Sequence, residues 1–206
     1  RASVHNAEQI QKLDIRENDI VIVEKGGEII PKIVGVERQN NNQDSQPIKF
    51  IENCPICNAR LIKEEGEAAH YCPNYNHCPP QILGRFQHFV SKKAMNIDSL
   101  GAERIKILFS AGLIKDFSSF YTLKQDDIIG LGSLDKENKT NIQEKGAKNI
   151  IQAINKSKEV DFAKVLYALG IRYVGEVTAK HLVATFKNID SLIQATKEDL
   201  LSVEDV

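Results

Sequence analysis

Tryptophan is absent from the 206 residues, methionine occurs once, and the aromatic residues together make up only 6% of the chain. So few aromatic side chains argue against one large aromatic-rich core and favour several small cores. A length of 206 residues is as compatible with two or three small domains as with one large domain. We therefore expect a modular protein.

Long apolar runs are also missing. No stretch approaches the roughly 18 apolar residues that a membrane-spanning helix needs, and the first residues lack the charged and apolar regions of a signal peptide. These absences predict a cytoplasmic protein with no membrane partner. The chain starts at Arg1 and stops in the sequence LLSVEDV, so we expect it to be a piece of something longer.

A net charge of one sign is absent too, since 27 basic and 28 acidic residues give a formal charge of −1. The charges nevertheless lie in blocks. Residues 85–106 carry five basic and two acidic residues, residues 140–187 eight and four, and residues 188–206 one and five. Local basic patches attract phosphates, so nucleic acid is a possible partner. The alternative is that these charges only form ordinary solvated faces of helices.

The first 50 residues predict part of a β-barrel. Residues 19–37, DIVIVEKGGEIIPKIVGVE, hold two β-branched runs separated by Gly26 and Gly27, which indicates a hairpin, and residues 5–15 favour a short helix before it. Pro31 cannot donate a hydrogen bond, so its strand should lie at an edge or a bulge. One hairpin cannot bury a core, so we expect further strands upstream, and the polar residues 38–50 predict a linker.

All four cysteines lie within 25 residues, with the spacing Cys54-x2-Cys57-x14-Cys72-x5-Cys78. Two close pairs of thiols in a reducing compartment predict a zinc site, in which the 14-residue insert forms a hairpin that brings the pairs together. Four sulfurs fill a tetrahedral shell, so we expect a structural zinc that the finger needs in order to fold. Replacement of one sulfur by His70 or His77 is an alternative, and a disulfide is another.

The sequence from residue 82 onward is typical of short helices. Residues 162–170, FAKVLYALG, place apolar side chains at i, i+3, i+4 and i+7 and end at Gly170, which predicts a helix and its stop. Residues 179–186, AKHLVATF, repeat the spacing. We expect glycine-containing turns between such helices.

Two of these turns share one pattern: a hydrophobic residue, two other residues, a second hydrophobic residue and then glycine. They are residues 97–101 and 171–175, and a further copy starts in LLSVEDV. The pattern is typical of a helix-hairpin-helix unit, whose exposed amides and positive helix end bind a phosphate without reading a base. A packing role is the alternative. Three basic residues lie where they can add positive charge to these amide contacts with a phosphate: Arg104, Arg172 and Lys180.

The order of barrel hairpin, four-cysteine finger and helix-hairpin-helix array resembles the C-terminal half of bacterial NAD-dependent DNA ligases along the whole chain. The stretches that carry the resemblance are RASVHN and DIRENDIVIVEKGGEIIPKIVGV for an OB-fold barrel, CPIC and CPNYNHCPPQ for a zinc finger, and RFQHFVSKKAMNIDSLG and VLYALGIRYVGEVTAKHL for the helical array. The implied fold class is multi-domain. It combines a partial β-barrel (OB-fold) with linker over residues 1–52, a small four-cysteine zinc finger over 53–81 and an all-α helix-hairpin-helix domain over 82–206, truncated at its last repeat.

The resemblance implies a nick-sealing enzyme of replication and repair that uses NAD and Mg²⁺ and carries its reactive lysine in a Lys-x-Asp-Gly motif. That motif is absent from these 206 residues, so we expect no catalytic residue here, only zinc as a bound cofactor, and DNA binding without sealing. The expected partner is nicked double-stranded DNA, held through its backbone by a monomeric bacterial protein at the nucleoid. The alternatives are a non-enzymatic DNA-binding module of a repair or recombination protein and a purely structural interaction domain.

The resemblance and the hairpin pattern together predict a set of DNA contacts. In the second helical unit, residues 128–154, the sequence is longer than the family pattern and Gln143 lies near the expected glycine, so contact of this unit with DNA stays open. The predicted contacts are Lys25, Ile29 and Ile30 on the barrel turn, Leu100, Gly101 and Arg104 at the first hairpin, Lys145 and Lys148 after the second, and Arg172, Val174, Gly175 and Lys180 at the third.

Overall fold

Residues 1–26, 30–37, 45–132 and 141–206 are described by a computed structural model, and they divide into two units, Arg1–Pro79 and Pro80–Val206. The barrel segment and the cysteine segment share the first unit, and the helical array forms the second. The boundaries drawn from sequence at residues 52 and 81 stay predictions. Within the described ranges no helix combines the length and the apolar character that crossing a membrane requires.

The first unit opens with helix α1 (Ala7–Leu13), which confirms the short helix expected there. Asn6 begins it, because its side-chain oxygen accepts a hydrogen bond from the backbone N–H of Gln9 at 3.0 Å. Asp14 ends it in the left-handed conformation at φ 48°.

Strands β1 (Val21–Gly26) and β2 (Ile30–Val36) pair antiparallel, as the β-branched runs predict. The register shifts at Ile22 and Val23, which marks a bulge. On its other side β2 bonds only to Ser3 among the described residues, through Ser3 N to Pro31 O at 2.9 Å and Ile33 N to Ser3 O at 3.1 Å. Only this short bridge lies beside Pro31 on that side of β2 among the described residues, so the missing donor interrupts no continuous ladder there. Gly27 of the predicted turn falls outside the described residues.

The predicted linker is described only from residue 45 onward. There the chain returns to the residues after α1, because Ile48 N donates to Ile15 O at 3.1 Å and Glu17 N to Gln46 O at 3.3 Å. Ile15, whose carbonyl accepts the bond from Ile48, is buried. The end of the linker is thus fixed beside the barrel segment.

The insert between the cysteine pairs forms the expected hairpin. Ile62 and Tyr71 exchange two backbone hydrogen bonds of 2.9 Å each. The Lys63 ammonium pairs with the Glu8 carboxylate on α1. The backbone bonds thus close the hairpin of the insert, and the ion pair attaches it to α1.

The second unit consists of short helices, as the sequence from residue 82 predicts. Pro79 and Pro80 begin its first helix, where a missing N–H is harmless. The helices are α2 (Pro79–Val90), α3 (Ala102–Ser110), a 3₁₀ helix (Ser118–Thr122), α4 (Gln125–Ile128), α5 (Glu144–Ser157), α6 (Phe162–Ala168), α7 (Glu176–Phe186), α8 (Ile189–Gln194) and α9 (Lys197–Leu201).

The larger core of this unit joins α2, α3, the 3₁₀ helix and α5. Phe120 is fully buried and meets Phe86 edge-on, with ring centroids 5.3 Å apart, and Phe89 in a stacked arrangement at 5.8 Å. Asp116 fixes the 3₁₀ helix, because its Oδ1 accepts hydrogen bonds from the backbone N–H and hydroxyl of Ser119 at 2.8 and 2.6 Å. These bonds lower the pKa of Asp116 to about 2.

A smaller core lies between α6, α7 and the end of the chain. Its buried residues are Leu166, Ala179, Leu182 and Val203. The predicted helix stop is confirmed, since Gly170 follows α6 at φ 64° and a Cβ there would lie 3.4 Å from the ring of His88. Small separate cores agree with the scarcity of aromatic residues.

Candidate metal centre and candidate nucleic-acid interface

The four cysteines converge on one point in the first unit. Their sulfur atoms lie within 4.8 Å of one another, with Cys54 Sγ to Cys78 Sγ at 3.9 Å and Cys57 Sγ to Cys72 Sγ at 3.5 Å. A tetrahedral zinc with Zn–S bonds of about 2.3 Å requires sulfurs about 3.8 Å apart. The donor set therefore fits zinc and does not suit Mg²⁺, which prefers oxygen ligands.

Tight backbone turns bring each pair of cysteines together. In the first pair Asn58 N donates to Cys54 O at 2.9 Å and Cys54 N to Ala59 O at 2.8 Å, while Asn58 takes a left-handed conformation at φ 57°. In the second pair Cys78 N donates to Asn74 O at 2.8 Å. Each pair of cysteines is thus held by a turn with internal backbone hydrogen bonds.

The thiols of this group differ in acidity. The backbone N–H of Ala59 is the main cause that lowers the pKa of Cys57 to about 6, whereas burial raises the pKa of Cys72. Burial thus opposes the ionisation of Cys72, and because zinc binds the thiolate form, metal binding must release a proton from this residue.

Neither histidine near the cysteines joins this group among the described residues. The group contains four thiols, and the ring of His70 instead packs on Phe50 with centroids 4.8 Å apart. His77 is exposed to solvent. The geometry favours four sulfur ligands over the histidine alternative.

The helical unit repeats one turn geometry at the predicted hairpins. Ser99 and Tyr173 hold the third position of the pattern, and both adopt positive φ angles, of 68° and 67°. Asp205 has the same position in LLSVEDV and a φ of 63°. Left-handed backbone at a non-glycine residue costs on the order of 1–3 kcal/mol, so its recurrence marks a shared, constrained turn.

The second helical unit begins with a turn of the same pattern, at the start of the predicted range 128–154. Residues 128–132, IIGLG, follow the same pattern, with Gly130 at φ 79° in the third position and Leu131 N bonded to Ile128 O at 3.4 Å. Gln143, which lies near the expected glycine, is instead the residue that begins α5. The hairpin is therefore split, and the signal that locates its first half is the Gly130 and Gly132 pair.

Helices α3, α5 and α7 begin in the same way after the three hairpins. The residue before each helix has extended backbone, and its carbonyl accepts the first helical bond at 2.9 to 3.1 Å. No side-chain cap among the described residues satisfies the amides of these first turns, and α4 and α6 also lack one, whereas Asn6, Asn188 and Thr196 cap α1, α8 and α9. The three starting residues are Gly101, Gln143 and Gly175.

Gly101 and Gly175 are not required by their own backbone. Their φ angles of −73° and −79° suit any residue, and a Cβ at either would meet no atom of the described chain within 4 Å. The small side chain thus leaves the surface above the free amides open. Internal packing among the described residues therefore does not explain the two glycines.

At the first hairpin the predicted side chains have structural contacts of their own. Leu100 is buried in the larger core, so its side chain is not accessible to a ligand. Arg104 donates to Ser99 O at 2.7 Å, and its guanidinium would lie 3.5 Å from a Cβ on Gly146 at the start of α5. Arg104 therefore supports the turn and lies close to the next hairpin helix.

At the third hairpin three of the four predicted residues are exposed, namely Arg172, Gly175 and Lys180. Arg172 lies over the ring of Tyr173, with its guanidinium carbon 5.0 Å from the ring centroid. Lys180 forms an ion pair of 3.0 Å with Glu176, and Val174 is half-buried. Tyr173 and Glu176 are the residues that sequence reasoning missed, because their roles depend on a turn conformation and an ion pair that no spacing reveals.

The remaining predicted contacts are placed at the surface or fall outside the description. Lys145 and Lys148 are exposed on α5. On the barrel hairpin Lys25 is exposed and Ile30 keeps 59% of its surface accessible, while Ile29 lies outside the described residues. Their contact with DNA stays a prediction.

Comparison with known proteins assigns the segments one by one. Residues 1–45 match the NAD-dependent DNA ligase OB-fold domain, residues 53–79 the NAD-dependent DNA ligase C4 zinc finger domain, and residues 164–206 the helix-hairpin-helix motif. The last match includes the third hairpin and the start of the fourth.

Whole-chain relatives agree with these matches. The DNA ligase of Christiangramia forsetii is 50% identical over 206 residues, and those of Flavobacterium johnsoniae and Bacteroides fragilis are 48% identical. Each alignment covers 100% of this chain and 30% of the relative, so the chain spans about 30% of the length of the curated relatives it matches. The chain belongs to the NAD-dependent DNA ligase family.

Proposed function

We propose that this chain is the DNA-holding portion of a ligase that seals nicks in duplex DNA during replication and repair with NAD and Mg²⁺. The observation that carries the proposal is the recurrence of three hairpins, each followed by a helix whose first amides have no side-chain cap among the described residues. Such amides, with the positive end of the helix dipole, form a site for a phosphate.

The proposed partner is the backbone of nicked double-stranded DNA. Phosphates recur regularly along the duplex, and amide groups recognise them without reading bases, so binding is independent of sequence. The basic residues after the hairpins add attraction that salt weakens. We infer that the predicted contacts at the barrel hairpin and at α3, α5 and α7 act together, since weak contacts on one chain gain strength when tethered.

The four cysteines are proposed as ligands of a structural zinc. Their sulfurs fill a tetrahedral shell and leave no position for a substrate, so the metal holds the finger folded and takes no part in chemistry. We assign no catalytic residue to the chain and expect it to bind DNA as a monomer without sealing it. A cytoplasmic location at the nucleoid accords with this role.

Gly175→Val tests the proposal at the third hairpin. The new side chain fits the chain itself but covers the open amides, so we expect affinity for a labelled nicked duplex to fall about ten-fold or more. Fluorescence anisotropy at several salt concentrations measures the affinity and its salt dependence, and circular dichroism checks that the helices remain.

Gly84→Val is the matched control. Gly84 lies on α2, is exposed, and also has open space around its Cβ position within the described chain. We expect its DNA affinity to match that of the unchanged protein. An equal affinity of all three proteins, or binding that ignores salt, would contradict a phosphate-holding role.

A further inference from the structure

Tyr173 is an unusual residue for its position in the third hairpin. It has a φ of 67° and keeps 73% of its surface exposed. The equivalent positions of the other hairpins hold Ser99, Gly130 and Asp205, which are small or tolerate this backbone conformation. A bulky ring that stays largely exposed in a strained turn does not serve to fill a core, so such a feature points to function.

The surroundings of Tyr173 are those of the proposed phosphate site. Two residues further on, Gly175 begins α7 and leaves its amides open. On the other side, the guanidinium of Arg172 lies over the tyrosine ring at 5.0 Å from its centroid. The hairpin thus presents an apolar face, a cation and backbone donors within four consecutive residues.

This combination matches the chemistry of a nucleic acid strand. Each phosphate is flanked by two sugars, whose C–H groups form apolar surfaces, so a group beside a bound phosphate meets a sugar. A tyrosine ring offers a large apolar area at little cost in conformational entropy, and aromatic side chains pack well against nucleotides. The ring suits the sugar and the guanidinium suits the phosphate.

We propose that Tyr173 packs its ring against the deoxyribose next to the phosphate held by the third hairpin, with Arg172 on the ring reaching that phosphate. This inference rests on the proposed function and adds an apolar contact to it. Tyr173 then contributes affinity that does not depend on charge.

Affinity measurements on Tyr173→Asn and Tyr173→Phe test the contact. Asparagine tolerates the left-handed conformation, so the hairpin keeps its shape while the ring is lost. We expect about ten-fold weaker binding of a nicked duplex by the zinc-bound Asn variant, near-normal binding by the Phe variant, and a salt dependence unchanged in both. The matched control is Ile193→Gln, which removes an exposed apolar side chain on α8 and should leave binding unchanged.

A single fluorophore gives an independent reading. The chain has no tryptophan, so Tyr173→Trp places one reporter at the hairpin, and Ile193→Trp places one elsewhere. We expect DNA to shield the first from a neutral quencher such as acrylamide and to leave the second accessible.

The outcomes separate this inference from the proposed function. Normal binding by Tyr173→Asn, or an unshielded Trp at position 173, would overturn the ring contact, while the effect of Gly175→Val would still support phosphate binding. A reduced salt dependence of Tyr173→Asn would mean that the ring acts only by placing Arg172, and it would also overturn the proposal. Unchanged DNA affinity in both the Gly175→Val and the Tyr173→Asn variants would overturn the ring contact and the phosphate site together.

Discussion

Glu176 lies at the start of α7 between two lysines. Its carboxylate accepts a hydrogen bond from Lys180 at 3.0 Å and lies 3.8 Å from the ammonium of Lys93. The hydrogen bond from Lys180 is the main cause that lowers the pKa of Glu176, and the charges of Lys180, Lys93 and Lys164 act in the same direction. Glu176 is therefore an anion that competes with any phosphate for the same cations.

Glu176→Gln should raise the affinity for nicked duplex about two- to five-fold, because it releases both lysines from an exposed ion pair. Its binding should also depend more steeply on salt, since an added phosphate contact changes the slope by about 0.9. Anisotropy titrations over a range of salt measure both effects. Glu198→Gln on α9 removes an equal charge from the surface and serves as the control, and equal gains in the two variants would show a general effect of net charge.

Sequence patterns could locate the hairpin residues but not the contacts that each makes. Glycine spacing identified residues 97–101 and 171–175, because a tight turn imposes its pattern locally. The burial of Leu100, the bond from Arg104 to Ser99 and the pairing of Lys180 with Glu176 depend on how α3 and α7 pack or on rotamers. Local sequence patterns do not predict which side chains make such contacts.

The zinc finger is the element whose folding depends most on one interaction. Cys72→Ser should lower bound zinc well below one ion per chain under competition with a chelator, because a hydroxyl is a poor substitute for a thiolate. Metal analysis measures the loss, and helical circular dichroism should change little because the helical array is the second unit. His77→Ala is the control and should retain zinc. Full zinc content in the Cys72 variant would remove this residue from the ligands.

The cysteine spacing predicted its element almost completely, whereas the sequence predicted the range of the second hairpin but not the hydrogen bonds within it. Four thiols at short spacings can form only a few tight turns, so geometry follows from sequence. At the second hairpin the two halves are joined through Gly130 N to Ile142 O at 2.8 Å and Ile142 N to Leu131 O at 2.7 Å. Those bonds join residues that are distant in sequence, so a local pattern could predict the range 128–154 but not which residues pair within it.

Among the residues that the structure describes, the buried apolar side chains form separate clusters, and the largest of these includes Phe120. Phe120→Ala should destabilise the second unit by about 3–5 kcal/mol, because it leaves a cavity among fully buried rings. Chemical denaturation followed by circular dichroism measures this change, and zinc content should stay normal because the cysteines lie in the first unit. Phe50→Ala, at a partly exposed ring, should leave the helical transition in place, and loss of zinc in the Phe120 variant would show that the two units fold as one.

The bonds that close the split hairpin have a practical consequence. Gly132 and Asn141 also form a bridge, so these two residues lie side by side although they are nine positions apart in the sequence. Lengthening a closed loop adds only about 0.6 kcal/mol per doubling. We therefore expect this position to be suitable for inserting an epitope or a dye-binding peptide. The chain could then be immobilised or tracked through the insert while α5 keeps its register.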